Sequence, residues 1–447
     1  MRICFITPEY ALYPPFGGIA TQIRTMARWM ATHGHDVHVI CPTRDRMPGA
    51  ESDDGAQVHF VAPRRIKPRR MLAYASKLPG LGKIKEAYYG WDLVENSLGV
   101  WLKVRELERH APFDLIQCSD AGGLGFWGVW PIRRSRPLLI RGSGLVIQHT
   151  KSGGWPGAWF HNELEKACAR RATFVLTVSY FLAGLYEAEF GLSGERVGML
   201  SRIGVLPNVN ARPDLLIEER IESLEQRSPT VLYVGRIEYA KGCDILFQAL
   251  ETVKQNVPAA KVSLVGKAAA EFEPQLEAFL QANGDWVTYY GHLPRTEVAL
   301  HMQTSTLLVL PSRSETAGGV LAEAQLLGLP QVATRVGGIP EYVEDGATGL
   351  LVAPEDPEAL AQAITRLCLS PDLCATMAQR SKELAAARDN LDVVMERFVK
   401  VCDALIAGKS PLTVLQGKTG DRGEESYKNV PAFEMSHNLG GKVSRDT

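Results

Sequence analysis

From its first residue the chain alternates short apolar runs with longer stretches whose apolar positions recur at helical spacing. A parallel sheet wound with helices gives this pattern. Ile3 to Thr7, Val37 to Cys41, Val58 to Ala62, Leu115 to Cys118, Leu138 to Arg141 and Phe174 to Ser179 read as strands. Between the first two, Ile19 to His33 carries Ile19, Ile23, Met26 and Met30 on one face and stops at Gly34, completing a βαβ unit. The rhythm fades between Pro207 and Pro229, where prolines and mixed charges suit a connector. It resumes with Val231 to Val234, Val262 to Val265, Val287 to Tyr290, Leu307 to Leu310 and Gln331 to Thr334, flanked by helical segments such as Asp244 to Lys254 and Val320 to Leu327. The expected fold class is therefore α/β, with two Rossmann-like doubly wound domains facing a cleft. Residues 1–208 form the first, 209–228 the linker and 229–390 the second. Val394, Phe398, Val401 and Leu405 make one apolar helix face near the end. That helix has few partners left in its own domain, so the segment 391–408 is expected to cross back to the first. Residues 409–447 show no period and are expected to be a disordered tail.

Composition narrows the function classes. The chain has 447 residues, with 49 Lys and Arg against 50 Asp and Glu, a net charge of −1. That length exceeds one core, and that balance argues against a chain built to hold nucleic acid. Its 8 cysteines include no C-x-x-C pair, so neither a zinc site nor a disulfide framework is expected, and a reducing cytoplasm fits. The opening strand breaks at Pro8-Glu9 before a signal sequence can form, and no apolar run is long enough for a membrane span. Local charge is less even. Arg64, Arg65, Lys67, Arg69, Arg70, Lys77, Lys83 and Lys85 occur with no acidic residue between them, and Tyr74, Tyr88, Tyr89 and Trp91 are interleaved or follow. Such a segment suits an anionic leaflet at the inner face of the cell membrane. A solvated loop, or a patch for a soluble phosphorylated ligand, is the competing reading.

Candidate chemistry sits where strands end. The first strand leads through Pro14-Pro15-Phe16-Gly17-Gly18 into a helix, and glycines there allow a backbone anion site or simply a tight turn. Strand Val231 to Val234 runs into Gly235-Arg236, and Lys241-Gly242 follows. An Arg fork and a Lys point charge together could neutralise a diphosphate, although each alone is more often a solvated charge. The segment from Pro311 to Ala324 reads as strand end, small-residue turn and helix. Gly318, Gly319 and Val320 would offer free N–H groups to a phosphate, and Glu323, one turn in, two oxygens to a ribose diol. Glu315 could accept from sugar hydroxyls, or both carboxylates could merely complement the helix start. Asp120 follows a strand and either faces an acceptor or forms a turn.

Gly235-Arg236 with Lys241-Gly242-x-Asp244, Glu315-x7-Glu323, Val336-Gly337-Gly338-Ile339-Pro340-Glu341 and Gly346-x-Thr348-Gly349-Leu350-Leu351-Val352 together resemble glycosyltransferase family 4, retaining enzymes of the GT-B fold. The resemblance covers about residues 1–406 and is most specific from Val231 to Val352. It implies that Arg236 and Lys241 contact the diphosphate of a UDP-, GDP- or ADP-sugar, Glu323 the ribose and Glu315 the transferred sugar. Backbone near His292 would frame the base, and Gly17 and Gly18 match the glycine loop of the family. Three positions depart from it. Ala317 stands where Phe is common, Pro207-Asn208-Val209-Asn210 replaces P-N-G-V-D, and Ser143 occupies the place of an active-site histidine. Ser143 can hydrogen-bond a sugar hydroxyl but cannot act as a base near neutral pH.

The resemblance implies sugar transfer with retention. No clear nucleophile stands on the acceptor side, so front-face attack is expected, with the donor phosphate taking the acceptor proton. No cofactor or metal is expected, because the cations can do the work of one and no D-x-D motif lies beside a nucleotide strand. Two alternatives stay open: another GT-B activity, phosphorylase or sugar-nucleotide epimerase, and a non-catalytic sugar-nucleotide binding protein.

Overall fold

The computed structural model describes residues 1–12, 18–43, 47–66, 82–129, 136–145, 157–200, 228–387 and 391–415. The linker segment 209–227, Gly17, Pro207 to Asn210 and the basic residues 67–81 lie outside the described residues.

Among the described residues the first sheet has 8 strands: β1 (Arg2–Ile6), β2 (Asp36–Pro42), β3 (Gly49–Asp53), β4 (Ala56–Val61), β5 (Leu115–Ser119), β6 (Leu138–Gly142), β7 (Phe174–Thr177) and β8 (Val197–Met199). Their order is β3-β4-β2-β1-β5-β6-β7-β8. Every pairing is parallel except β3 with β4. The second sheet contains β9 (Thr230–Val234), β10 (Lys261–Val265), β11 (Val287–Gly291), β12 (Leu307–Leu310), β13 (Gln331–Thr334) and β14 (Gly349–Val352), in the order β11-β10-β9-β12-β13-β14 and parallel throughout. The winding direction reverses beside β1 in one sheet and beside β9 in the other. Ligand crevices open at such reversals, outside the carboxyl ends of the strands.

The helices follow in chain order. The first domain contains α1 (Gly18–Thr32), α2 (Gly82–Glu108), α3 (Phe126–Val129), α4 (Ala158–Arg171) and α5 (Tyr180–Phe190). The second contains α6 (Cys243–Asn256), α7 (Glu273–Asn283), α8 (Arg295–Thr304), α9 (Gly319–Leu326), α10 (Pro357–Cys368) and α11 (Pro371–Ala387). The chain continues through α12 (Leu391–Ile406) and α13 (Leu412–Leu415). Strand alternation sorts the first core into two layers. Ile3, Phe5, Leu115, Leu139 and Leu176 pack on Ile23, Met26 and Met30 of α1, whereas Cys4, Ile6, Ile116 and Ile140 face α2 and α5. Helix α12 belongs to the first layer: Val394, Phe398 and Val401 are buried there. Phe398 lies 6.4 Å from Phe5 between ring centroids, and Asp392 accepts from Trp29 Nε1 at 2.6 Å. In the second domain Val231, Tyr233 and Val309 pack against α6 and α10, and Leu232, Leu308 and Leu310 against α8 and α9.

Two elements differ from the sequence reading. Strand β3 is not legible from its apolar pattern and forms because Asp54-Gly55, both at positive φ (47° and 90°), turn the chain back onto β4. The start of the segment expected to be disordered is ordered instead, because Leu412, Val414 and Leu415 pack onto the first core; residues 416–447 lie outside the described residues. All 8 cysteines are buried and free. Among the described residues no helix is long and apolar enough to cross a membrane.

Candidate active site

The carboxyl ends of β9 and β12 build one side of the cleft. After β9, the Tyr233 hydroxyl donates to the Arg236 carbonyl at 2.6 Å, which fixes the backbone and sends the Arg236 side chain outward. That side chain is 69% exposed and pairs with Glu238 at 2.8 Å. The chain then makes a tight turn over Tyr239–Lys241 and enters α6 through Gly242, whose φ is 66°. A Cβ on Gly242 would lie 2.0 Å from the Pro311 carbonyl oxygen, so only glycine lets the turn reach the loop after β12. The reward of that approach is a contact. Lys241 Nζ meets Glu315 Oε2 at 2.6 Å, both side chains being largely buried.

The loop carrying Glu315 is held from three sides. Arg313, also largely buried, donates to both oxygens of Asp244 at 2.6 and 2.7 Å, ion-pairs with Glu355 and lies 3.7 Å over the Tyr239 ring. Burial alone would lower the Arg313 pKa, but hydrogen bonds to Asp244 and Glu355 hold it above its ordinary value. On the other flank Gly338 N donates to the Glu315 carbonyl at 3.1 Å. Gly337, at φ 55°, would place a Cβ 1.8 Å from that same oxygen, which explains the glycine pair before Ile339-Pro340-Glu341. From the first domain, Ser179 Oγ donates to the Thr316 carbonyl at 2.8 Å.

Gly318 precedes α9, which begins at Gly319 and carries Val320 in its first turn, so the N–H groups of that turn sit beside Glu315 at the cleft. Glu323 is inside the same helix and is already engaged: it ion-pairs with Arg295 of α8. Burial raises the Glu323 pKa, and Arg295 opposes that. His292 lies exposed after β11, on the same edge of the sheet.

The first domain contributes differently. Gly18 opens α1 and is exposed. Asp120 is buried at the end of β5, where Oδ2 accepts from Ser143 N at 2.9 Å, Gly144 N at 3.2 Å and the Tyr186 hydroxyl at 3.0 Å. Burial, with the nearby Glu165 carboxylate, pushes its pKa up to about 7. Its place is therefore behind Ser143, fixing the backbone that presents this half-buried side chain. The two domains also meet through Glu341, whose carboxylate accepts from Tyr180 N at 3.0 Å and Phe181 N at 2.9 Å, the first amides of α5.

The structure thus brings Lys241, Glu315 and the start of α9 together, with Arg236 on the rim. Arg295 carries no signal in sequence, and Arg313 and Glu341 stand inside quoted motifs without a role, since each is defined by a partner distant along the chain. Among the described residues no group of three His, Cys, Asp or Glu side chains is placed to hold a metal ion.

Comparison with known proteins agrees with this fold. Residues 217–384 match the family described as glycosyl transferases group 1, and residues 17–202 match the glycosyl transferase 4-like domain. A D-inositol 3-phosphate glycosyltransferase from Paenarthrobacter aurescens is 25% identical over 370 residues, 78% of this chain and 84% of that one. Sucrose-phosphate synthase from Thermosynechococcus elongatus superposes with a TM-score of 0.70 at 21% identity, over 91% of this chain and all (100%) of the other. The Anabaena protein HepE, solved in complex with UDP-glucose, superposes with a TM-score of 0.65 at 19% identity, over 90% of this chain and 100% of that one.

Proposed function

The chain belongs to the group 1 glycosyltransferases of GT-B fold, and from that premise we propose that it transfers a sugar with retained anomeric configuration and without a resident metal. In this reading the second domain holds a nucleotide-sugar and the first presents an acceptor hydroxyl. The observation that carries it is the Lys241–Glu315 pair beside the start of α9. The donor diphosphate draws Lys241 from Glu315 and takes N–H groups of Gly319 and Val320, while Arg236 swings in from the rim. The freed Glu315 carboxylate then accepts from hydroxyls of the transferred sugar. The bond from C1 to the phosphate oxygen breaks as the acceptor oxygen bonds C1 on the same face, and the acceptor proton passes to the departing phosphate. The two cations and the helix start stabilise the charge that develops there. Support for front-face attack comes from Asp120, the first-domain carboxylate nearest Ser143, which is turned inward under Tyr186.

The complex of HepE with UDP-glucose makes that compound the first donor to try, with GDP- and ADP-glucose beside it. Each is incubated with an acceptor panel in excess chelator, and the anomeric coupling of the product is read by NMR. Retained configuration with nucleotide release is expected; an inverted product, or release that needs added metal, would overturn the reading.

For the acceptor we propose a lipid-linked or cell-envelope glycan reached at an anionic membrane. Lys83, Lys85 and Tyr89 at the start of α2, Trp159 of α4 and Arg64 and Arg65 are exposed. Lys83 lies 5.2 Å over the Trp159 ring. Nearby, Trp91, Val94, Phe126, Trp127, Phe160 and Leu164 line an apolar cavity of about 430 Å³. Cations and aromatic rings on one face, with apolar volume beside them, suit a headgroup layer. Replacing Arg65, Lys83 and Lys85 by Ser should reduce co-sedimentation with anionic vesicles at low salt; unchanged co-sedimentation would end the proposal.

A further inference from the structure

The first domain contains a buried cation with nothing to bind. Arg141, near the carboxyl end of β6, is 0% exposed, and none of Nε, Nη1 and Nη2 has a hydrogen-bond partner. Burial lowers its pKa to about 10, against the opposing pull of Asp120 and of Tyr342 from the second domain. Alternation along β6 puts Arg141 on the face of Leu139 and away from that of Ile140. In the register of β5 with β6, Ser119 stands beside Arg141 and Gln117 beside Leu139, so all three side chains share a face. Gln117 is 0% exposed and Ser119 2%, yet both amide atoms of Gln117 and the Ser119 hydroxyl also lack partners.

The fold supplies a nearby charge but no hydrogen bond. Asp120 follows Ser119 and acts on Arg141 through charge alone, its Oδ2 being occupied by Ser143, Gly144 and Tyr186, while Oδ1 too is left without a partner. A buried guanidinium that makes no hydrogen bond is strongly unfavourable, and buried polar groups are otherwise almost always paired. Three such side chains, adjacent on one face, point to a partner from outside the chain. Their location says which molecule brings it. They lie at the carboxyl edge of the first sheet, two strands from the winding reversal, on the side that feels Tyr342 across the cleft. A guanidinium fork matches an oxyanion through two parallel N–H···O bonds, and the Gln117 amide and Ser119 hydroxyl add donors on the same side.

We propose that Arg141, Gln117 and Ser119 form a subsite for a phosphate group carried by the acceptor. The inference rests on the transferase reading and deepens it, since the acceptor becomes anionic at a defined place rather than a neutral glycan. Full burial means that the crevice opens to admit the phosphate and then gives it a dry site, where charge-assisted bonds are strongest.

The test uses the full chain saturated with UDP, so that the donor cations are occupied, and inorganic phosphate as probe at constant ionic strength. Phosphate should raise the wild-type Tm saturably by about 2 °C or more. Arg141→Gln should lose that response while binding UDP as before. Should that variant not fold, Gln117→Leu combined with Ser119→Ala should weaken the phosphate response roughly tenfold. Repeating the titration with phosphatidic acid vesicles separates the sources: a response to both probes that Arg141→Gln removes assigns a lipid phosphate, and a response to inorganic phosphate alone assigns a soluble one. A wild-type protein indifferent to phosphate, a variant that keeps the response, or a variant with tenfold weaker UDP binding would overturn the subsite. UDP raising the Tm of both proteins preserves the donor reading whatever phosphate does. If UDP raises neither, that reading fails, while the phosphate arm run without UDP still judges the subsite.

Discussion

Glu341 should govern closure of the cleft, and its contribution can be worked from the structure. Its carboxylate, carried by the second domain, accepts the first two amides of α5 at 2.9 and 3.0 Å. Those amides have no partner within their own helix, and the helix dipole favours an anion there. Charge-assisted hydrogen bonds contribute about 1.5 to 3 kcal/mol each when buried. Glu341 is only partly buried, so the two together with the dipole come to about 3 kcal/mol. Glu341→Ala should therefore shift the closed-to-open ratio roughly 100-fold. Glu341→Gln, which keeps one acceptor oxygen and loses the charge, should shift it roughly tenfold. The assay is hydrogen exchange at the Tyr180 and Phe181 amides, with kcat/KM measured in parallel. Both amides should exchange faster in each variant, and kcat/KM should fall in the order wild type, Gln, Ala. Unchanged exchange at the two amides would show that the contact does not persist in solution and would refute the reasoning. Ser179→Ala is a poorer probe, since Ser179 Oγ also accepts from Leu182 N as the cap of α5.

Lys241→Ala and Glu315→Gln should each lower kcat about 100- to 1,000-fold, as expected for groups aimed at developing charge, and steady-state kinetics of the double variant should show strong non-additivity because the two are paired at 2.6 Å. Gly337→Ala, with its Cβ 1.8 Å from the Glu315 oxygen and φ at 55°, should cost at least about 2 kcal/mol in urea denaturation and displace the Glu315 loop; a variant with wild-type midpoint and kcat would contradict the packing. Because burial raises the Asp120 pKa to about 7, the native state holds a proton that the unfolded chain releases near pH 4. Stability from this group therefore falls as pH rises between about 4 and 7, by at most about 1.4 kcal/mol per pH unit, and urea midpoints at several pH values should show Asp120→Asn with a flatter profile than wild type.

The sequence made the strands legible because a sheet buried on both faces must be apolar throughout, as in Leu307–Leu310. It made the second-domain motifs legible because backbone approaches that admit only glycine leave fixed marks, as at Gly242 and Gly337. Partnership was not legible. Arg313 has no visible partner in sequence, where Asp244 and Glu355 lie far along the chain, and the sequence leaves Asp120 open between an acceptor contact and a turn former without pointing to its bond from Tyr186. Arg141 does stand out in sequence, as a charged residue at the end of Leu138-Leu139-Ile140, and the structure buries every residue of that strand. Helix α2, 27 residues long, was masked by the charge and aromatic content of its first turns.

Two adjacent residues link the donor site to the domain contact. The Glu315 carboxylate holds Lys241, its carbonyl takes Gly338 N, and the next carbonyl, of Thr316, takes Ser179 from the first domain. Gly338 in turn precedes the short Ile339–Glu341 turn whose last residue caps α5. A diphosphate that draws Lys241 from Glu315 thus acts on the loop that also touches the opposite domain. If donor binding and closure are coupled through this loop, the coupling free energy must be the same in both directions. Whatever factor UDP adds to the closed population, closure must add to UDP affinity. Weakening the Glu341 contact should consequently weaken UDP binding by no more than that factor, even though Glu341 lies on the domain contact rather than on the donor. The interdomain carboxylate would then set how much donor affinity is spent on bringing the acceptor domain into place.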